Sequence, residues 1–279
     1  STVFAKNVLG DCMLTPALAG ATIALYDIDH DRLDDSVRLL QQLNKNLESH
    51  ATIESYFGVD HRKEALRDAD YVVNAIQVGG YEPSTAIDFD IPKKYGLRQT
   101  IGDTLGIGGI FRALRTIPVV LDFAEDIEAV CPDAWILNYV NPMAMITGAL
   151  LHATRAKTVG LCHSVQGCAS GLVKALGIEC AQPEYRIAGI NHQAWLLEIR
   201  DKKRDLYPLV RQKAAEKNAS ETHGDMVRYE IMRRFGYYVT ESSEHSAEYM
   251  PYWIRNDHPE LIDRFNIPLS VAHGQNTGP

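Results

Sequence analysis

Apolar positions along this chain switch between two periods, and the switches divide it into short strands and longer helices. It opens on a helical pattern, with Val3, Phe4, Val8 and Cys12 at roughly helical spacing and Ser1 or Thr2 placed as a cap. Thr22–Asp27 reads as an apolar strand ending in acid. Over 30–47, Leu33, Val37, Leu40, Leu43 and Leu47 mark one face of an amphipathic helix, opened by Asp29 or Asp31. A short strand at 51–56, a short helix at 61–68 and an apolar strand at 71–77, stopped by Gly79-Gly80, come next. Residues 81–132 read as mostly helical, with a glycine-rich stretch at 106–109. Then come a strand at 135–140 ending in Asn141-Pro142, a helix at 143–153 and a strand at 157–162.

Strands alternating with helices, rich in β-branched residues, predict an α/β fold: a mainly parallel, Rossmann-like sheet with helices on both faces. After Gly189 the character changes. Residues 194–200 alternate like a half-exposed strand, helical patterns follow at 207–217 and 225–235, and 237–240 leads into a polar and aromatic run from Glu241 to Trp253. A soft boundary near Val165 is expected, with a dinucleotide-binding domain over 1–165 and a partial α+β substrate and metal domain over 166–279. The tail at 270–279 has no apolar period and is expected to fray.

Composition narrows the function classes. The 279 residues are 46% hydrophobic and 23% charged, the balance of a water-soluble globular protein. A net charge of −8 argues against nucleic acid or an anionic membrane as the main partner. No segment approaches the roughly 18 uninterrupted apolar residues of a membrane span, and the first residues lack the pattern of a secretory signal. Five scattered cysteines without a CxxC pair suit reduced thiols in a cytoplasm.

Two strand ends thirty residues apart carry the most pointed chemistry, Cys162-His163-Ser164 and Gly189-Ile190-Asn191-His192. Ligands of open α/β sheets sit at carboxyl edges of strands, and a thiolate with an imidazole can hold a divalent metal. Singly, each reads as a core cysteine or a satisfied histidine; the pair favours a metal site. Asp27 and Asp29 end what reads as the second strand of a dinucleotide fold, where an acid binds the adenosine ribose; Asp29 suits a helix cap better. Gln77, Gly79 and Gly80 are further cofactor candidates, since glycines let backbone approach a ligand, though a plain turn explains them equally. Gly102-Asp103-Thr104 and the glycines at 106–109, with Arg112 and Arg115 after them, suit a polar or anionic group or else a solvated helix face. Asn141 could reach a nicotinamide or a substrate hydroxyl, or form an Asx-turn. In the run with His245 and Glu248, Tyr249 could act near a metal as a phenolate base or pack as an ordinary tyrosine.

Several stretches together resemble glycoside hydrolase family 4, and within it the α-galactosidase branch. They are Asn138-Tyr-Val-Asn141-Pro142-Met-Ala144, Gly160-Leu-Cys162-His163-Ser164-Val-Gln166, Gly189-Ile-Asn191-His192, and 236–249 with its Glu-Ser-Ser-Glu-His core. Gly79-Gly80-Tyr81-Glu82-Pro83 and Gln99-Thr-Ile-Gly-Asp103-Thr104 add to the match, which runs from Ser1 to about Leu269. The resemblance implies a lactate/malate-dehydrogenase-like fold and a redox-assisted elimination in place of two-carboxylate hydrolysis. In that chemistry NAD⁺ takes hydride from C3 of the sugar, a tyrosine removes the C2 proton, the C1 substituent leaves, water adds and hydride returns. A divalent ion, Mn²⁺ in the family, polarises the sugar oxygens.

Residue by residue, the resemblance implies Cys162 and His192 as metal ligands and Tyr249 as the base, with Tyr237, Tyr238 and Tyr252 close in sequence. It offers His163 as the acid for the leaving group, Asn141 with Asp103 as substrate contacts, Asp27 or Asp29 at the ribose, and Ser1 and Thr2 near the pyrophosphate. Cysteine plus histidine alone would point to zinc before manganese. The family's first strand and Gly-Ala-Gly-Ser-like turn are matched only by Ser1, and residues beyond 269 do not resemble its continuation. The expected partners are a small α-galactoside and further copies of the chain, as dimer or tetramer. The alternatives are an NAD-dependent 2-hydroxy-acid dehydrogenase and a truncated, non-catalytic sugar- or nucleotide-binding relative.

Overall fold

Strand β1 (Thr22–Asp27) turns Ile23 and Leu25 inward, where they meet Leu33 and Leu40 of helix α2 (His30–Asn46) and Met13 of helix α1 (Thr2–Leu14). Leu40 is fully buried, and covering such a side chain contributes about 1.5–3 kcal/mol. Asp29 caps α2, its carboxylate accepting from the Arg32 amide. The structure is a computed structural model that describes residues 2–269, with the backbone only of Thr2. The expected roles of Ser1 and of the Thr2 side chain, as cap or pyrophosphate contact, and the expected fraying of 270–279 lie outside the described residues.

The chain divides into two compact units that interleave in sequence: Ser1–Ala75, Val119–Asn138 and Gly148–Val159 form one, and Ile76–Pro118, Tyr139–Thr147 and Gly160–Pro279 the other. In the first, β1 pairs in parallel with β2 (Thr52–Phe57), Thr22 opposite Thr52 and Asp27 opposite Phe57. Helix α3 (Arg62–Leu66) follows, its Arg62 hydrogen-bonded to Asp126 at 2.5 Å. Strand β3 (Tyr71–Asn74) pairs in parallel with β4 (Trp135–Asn138), and β5 (Lys157–Gly160) extends that sheet. The expected α/β class with parallel sheets is what forms. β3 is shorter than its apolar run because Asn74 faces Asn138, the last residue of β4, and the ladder ends there.

Helices α4 (Ala86–Lys94), α5 (Gly106–Val130) and α6 (Met143–Ala153) separate these strands. In the second unit, α7 (Ser164–Ala175) precedes an antiparallel sheet of β6 (Glu184–Ile190), β7 (Gln193–Asp201) and β8 (Arg204–Asp205), with β9 (Tyr238–Val239) on β7. Helices α8 (Tyr207–Ser220) and α9 (Met226–Phe235) close the core, where Leu172, Leu196, Ile199, Val210 and Met232 are all buried. Helix α10 (Ser243–Tyr249) packs Ala247 against Val227, Ile231 and Trp253, and α11 (Glu260–Arg264) follows. Among the described residues, no helix is long and apolar enough to cross a membrane.

Candidate active site

The turn between β6 and β7 is as tight as a hairpin allows. Ile190 pairs with Gln193, leaving Asn191 and His192 as its two loop residues. Gly189 makes the approach possible: at φ +143°, a Cβ there would sit 2.4 Å from the Gln193 carbonyl oxygen and 2.5 Å from Ala194 Cα. His192 takes φ +59° and is 7% exposed, a buried histidine held by a strained turn.

Cys162 lies two residues past β5 and just before α7. Its Sγ is 3.1 Å from His192 Nε2. Glu241 brings a carboxylate to the same nitrogen, with Oε2 at 3.4 Å. One ligand atom from each of the three falls within 4.8 Å of the others. β9 and the strand it pairs with position Glu241: Thr240 N–H donates to the Ala194 carbonyl at 3.0 Å. Arg228, stacked 4.1 Å over the Tyr238 ring and paired with Asp225 at 3.1 Å, donates to the Val239 and Thr240 carbonyls. Burial opposes ionisation of the Cys162 thiol, but the hydrogen bond and charge of His192, with the His163 and Ser164 amides, outweigh it and hold the thiol below its ordinary pKa.

The other nitrogen of the same ring faces the tyrosine. His192 Nδ1 is 2.7 Å from Tyr249 Oη, and the edge of His245 meets the His192 ring at 5.0 Å. Burial raises the Tyr249 pKa; a hydrogen bond with Thr104 works against that, while Glu248, Asp103 and Glu241 add to it. The three neighbouring tyrosines are engaged elsewhere. Tyr238 is buried and donates to Asp225 at 2.5 Å, Tyr237 packs edge-on to Tyr207, and Tyr252 is exposed beside Trp253.

Asn141 and Asp103 also meet: the Asn141 amide donates to Asp103 Oδ2 at 2.9 Å, and Arg112 Nε donates to the Asn141 carbonyl at 3.1 Å. Asp103 Oδ1 accepts from the Thr104 hydroxyl at 2.9 Å. His163 is exposed, its ring 6.1 Å from that of Tyr139.

Among the cofactor candidates, Asp27 accepts from Arg32 Nε at 2.6 Å and from the Asp29 amide at 3.0 Å, while Asp29 serves as the helix cap. The Gln77 amide donates to Thr85 Oγ1 at 3.3 Å. Gly79 has φ +82°, with Ser84 and Arg115 against the place a side chain would take, and Gly80 has φ +67° with open space around it. Glu241 was not expected as a ligand, whereas Thr104 belongs to the polar loop that the sequence singles out. Glu241 lies in the same 236–249 stretch as Tyr249, but its direction depends on β9 pairing with β7.

Comparison with known proteins places the chain in a family. Residues 1–178 match the family model for family 4 glycosyl hydrolases, and residues 187–277 match that family's C-terminal domain. The chain is 61% identical over 269 residues to an alpha-galactosidase of Bacillus subtilis (strain 168), covering 96% of this chain and 61% of that protein. It therefore spans about three fifths of that relative's length. The crystal structure of lplD from Bacillus subtilis, assigned as a glucosidase, superposes with a TM-score of 0.80 at 26% identity, over 98% of this chain and 65% of that one. A 6-phospho-alpha-glucosidase from gut microorganisms, solved with NAD and Mn²⁺, superposes at TM-score 0.73 and 22% identity, over 93% and 60% of the two chains. The chain belongs to glycosyl hydrolase family 4.

Proposed function

We propose that this chain is the NAD⁺- and divalent-metal-dependent part of a glycosidase that cleaves α-galactosides by oxidation at C3, deprotonation at C2, elimination and water addition. The observation that carries the reading is the convergence of Cys162, His192 and Glu241, with Tyr249 one hydrogen bond behind the imidazole.

The donor set fits the metal. A thiol held below its ordinary pKa, an imidazole nitrogen and a carboxylate oxygen supply three ligands of mixed softness. Glu241 adds a hard oxygen donor that Mn²⁺ accepts, and we assign Mn²⁺, although the sulfur and imidazole donors bind Zn²⁺ more strongly. Asp27 fits the ribose-binding acid of an NAD site: it closes β1, and Oδ2 has an acceptor position left beside the one Arg32 takes. We assign residues 1–165 to dinucleotide binding, with Gln77, Gly79 and Gly80 as contacts, and 166–279 to substrate and metal.

When bound, NAD⁺ supplies a hydride acceptor for C3 and the divalent ion an electrophile for the oxygens on C2 and C3. The chain's own residues do the rest. As a phenolate, its own proton having left to solvent when the nearby cation binds, Tyr249 Oη would take the proton from C2, and the Nδ1–H of His192 would donate to that oxygen and stabilise its charge. The Asn141 amide and Asp103 carboxylate offer a donor and an acceptor that orient sugar hydroxyls. His163 gives a proton to the oxygen leaving C1. Hydride taken from C3 is returned there, so the net reaction is hydrolysis.

The five cysteines stand free, which supports a reducing, cytoplasmic setting; we take the assembly to be a homo-oligomer, as dimer or tetramer. The test is release of nitrophenol from a nitrophenyl α-galactoside with NAD⁺ and Mn²⁺ supplied or withheld. Release that requires both supports the reading. Release indifferent to either, or NAD⁺ reduction by a 2-hydroxy acid instead, overturns it.

A further inference from the structure

The loop before α5 runs back across α10 and is gripped by one carboxylate. Glu248 Oε2 accepts from the Thr100 amide at 2.8 Å and from the Ile101 amide at 3.2 Å, and Oε1 accepts from the Gly102 amide at 3.0 Å. The Thr100 hydroxyl lies 2.9 Å from Oε2 and 2.8 Å from the Glu244 carbonyl, which share its proton. Thr100 is fully buried. Three successive amides aimed at one point form a concave anion site, filled here by a side chain 146 to 148 residues away in sequence.

The far end of the loop is fixed as firmly. Gln99 donates through Nε2 to the Asp88 carbonyl at 3.0 Å and accepts through Oε1 from the Gly108 amide at 3.0 Å. A Cβ on Gly109 would stand 2.8 Å from the Thr104 carbonyl carbon, so the loop lies directly on the start of α5. Residues 99–104 are thus a stiff strap that ends on Asp103, bonded to Asn141, and Thr104, whose hydroxyl donates to Asp103. Glu248 is the chain neighbour of Tyr249.

We infer that Glu248 is a positioning residue: by holding the strap to α10, it sets the place of the sugar-orienting Asp103–Asn141 pair relative to Tyr249. The inference rests on the function proposed above. A carboxylate suits the site because every group facing it is a donor; glutamine would turn its NH₂ toward at least the Gly102 N–H, or flipped, toward the Thr100 and Ile101 N–H groups.

The experiment is a double-mutant cycle of Glu248→Gln with Asp103→Asn, joined to hydrogen exchange of the 99–104 amides. Glu248→Gln is expected to speed exchange at residues 100–102 and to lower kcat/KM on the nitrophenyl galactoside, each by about 10–100-fold, the scale of a lost bond to a charged acceptor. Mn²⁺ affinity stays as in the wild type, and Glu248→Asp, which keeps the charge, recovers part of both losses. On the Asp103→Asn background Glu248→Gln costs little more, because its effect passes through Asp103. Unchanged amide protection, or losses that simply multiply, overturns the inference. A wild type that does not hydrolyse the galactoside overturns the function instead; exchange at 100–102 and the same cycle read on galactoside binding then still decide the role of Glu248.

Discussion

His192 stands with Nε2 3.1 Å from the sulfur of Cys162 and Nδ1 2.7 Å from the hydroxyl oxygen of Tyr249. One ring therefore touches the thiol proposed as a metal ligand on one side and the hydroxyl proposed as the base on the other. A cation taken by Nε2 leaves the proton on Nδ1, where it can only be donated, and the acceptor in place is Tyr249. In the proposed mechanism, metal binding at Nε2 would also prepare the base.

Tyr249→Phe removes the base and keeps the ring. The variant should bind Mn²⁺ as the wild type does while kcat falls by about 10²–10⁴-fold, the usual worth of a positioned proton acceptor. Isothermal titration with Mn²⁺ beside a rate measurement checks both halves.

Cys162→Ser and Glu241→Gln each take one donor from the set of three. Mn²⁺ affinity should fall by at least about 10–100-fold in either, with circular dichroism unchanged because neither side chain belongs to a buried apolar cluster. Zn²⁺ should displace Mn²⁺ from the wild type, as a site with sulfur and imidazole ligands prefers the later metal.

The Cys162 thiol, free of metal, should react with iodoacetamide at lower pH than an ordinary cysteine. The thiolate is the reacting form, its fraction grows as pH rises, and a depressed pKa moves that growth downward. Metal affinity should fall as pH drops through the same range, since protons compete for the ligand. His192→Ala removes the partner that does most to offset burial, so the reactivity profile should move to higher pH.

Gly189→Ala tests the hairpin that presents His192. The new Cβ meets the Gln193 carbonyl and Ala194 at a φ that side chains avoid, and the variant should lose about 1–3 kcal/mol in urea unfolding.

Much of this molecule is legible in local pattern. Thr22–Asp27 and Met143–Ala153 form the strand and helix that their periods predict, because each buries one face against neighbours that sequence spacing supplies. The cysteine and histidine are legible for a related reason: each ends a strand, and strand ends collect polar groups. Glu241 is not, because its carboxylate reaches the site only through β9 pairing with β7 and Arg228 holding the segment between. Glu248 is equally hidden, since its meaning lies in amides about 150 residues away, at Thr100 to Gly102. Asp29 illustrates the opposite case, a residue with two readings that the fold uses as a helix cap.

The most direct test is hydrolysis of an α-galactoside in D₂O with NAD⁺ and Mn²⁺, followed by NMR of the released galactose. Removal of the C2 proton by Tyr249 and its replacement from solvent require deuterium at C2 of the product. Galactose released at full rate with protium retained at C2 would contradict deprotonation there, and the role of Tyr249 with it.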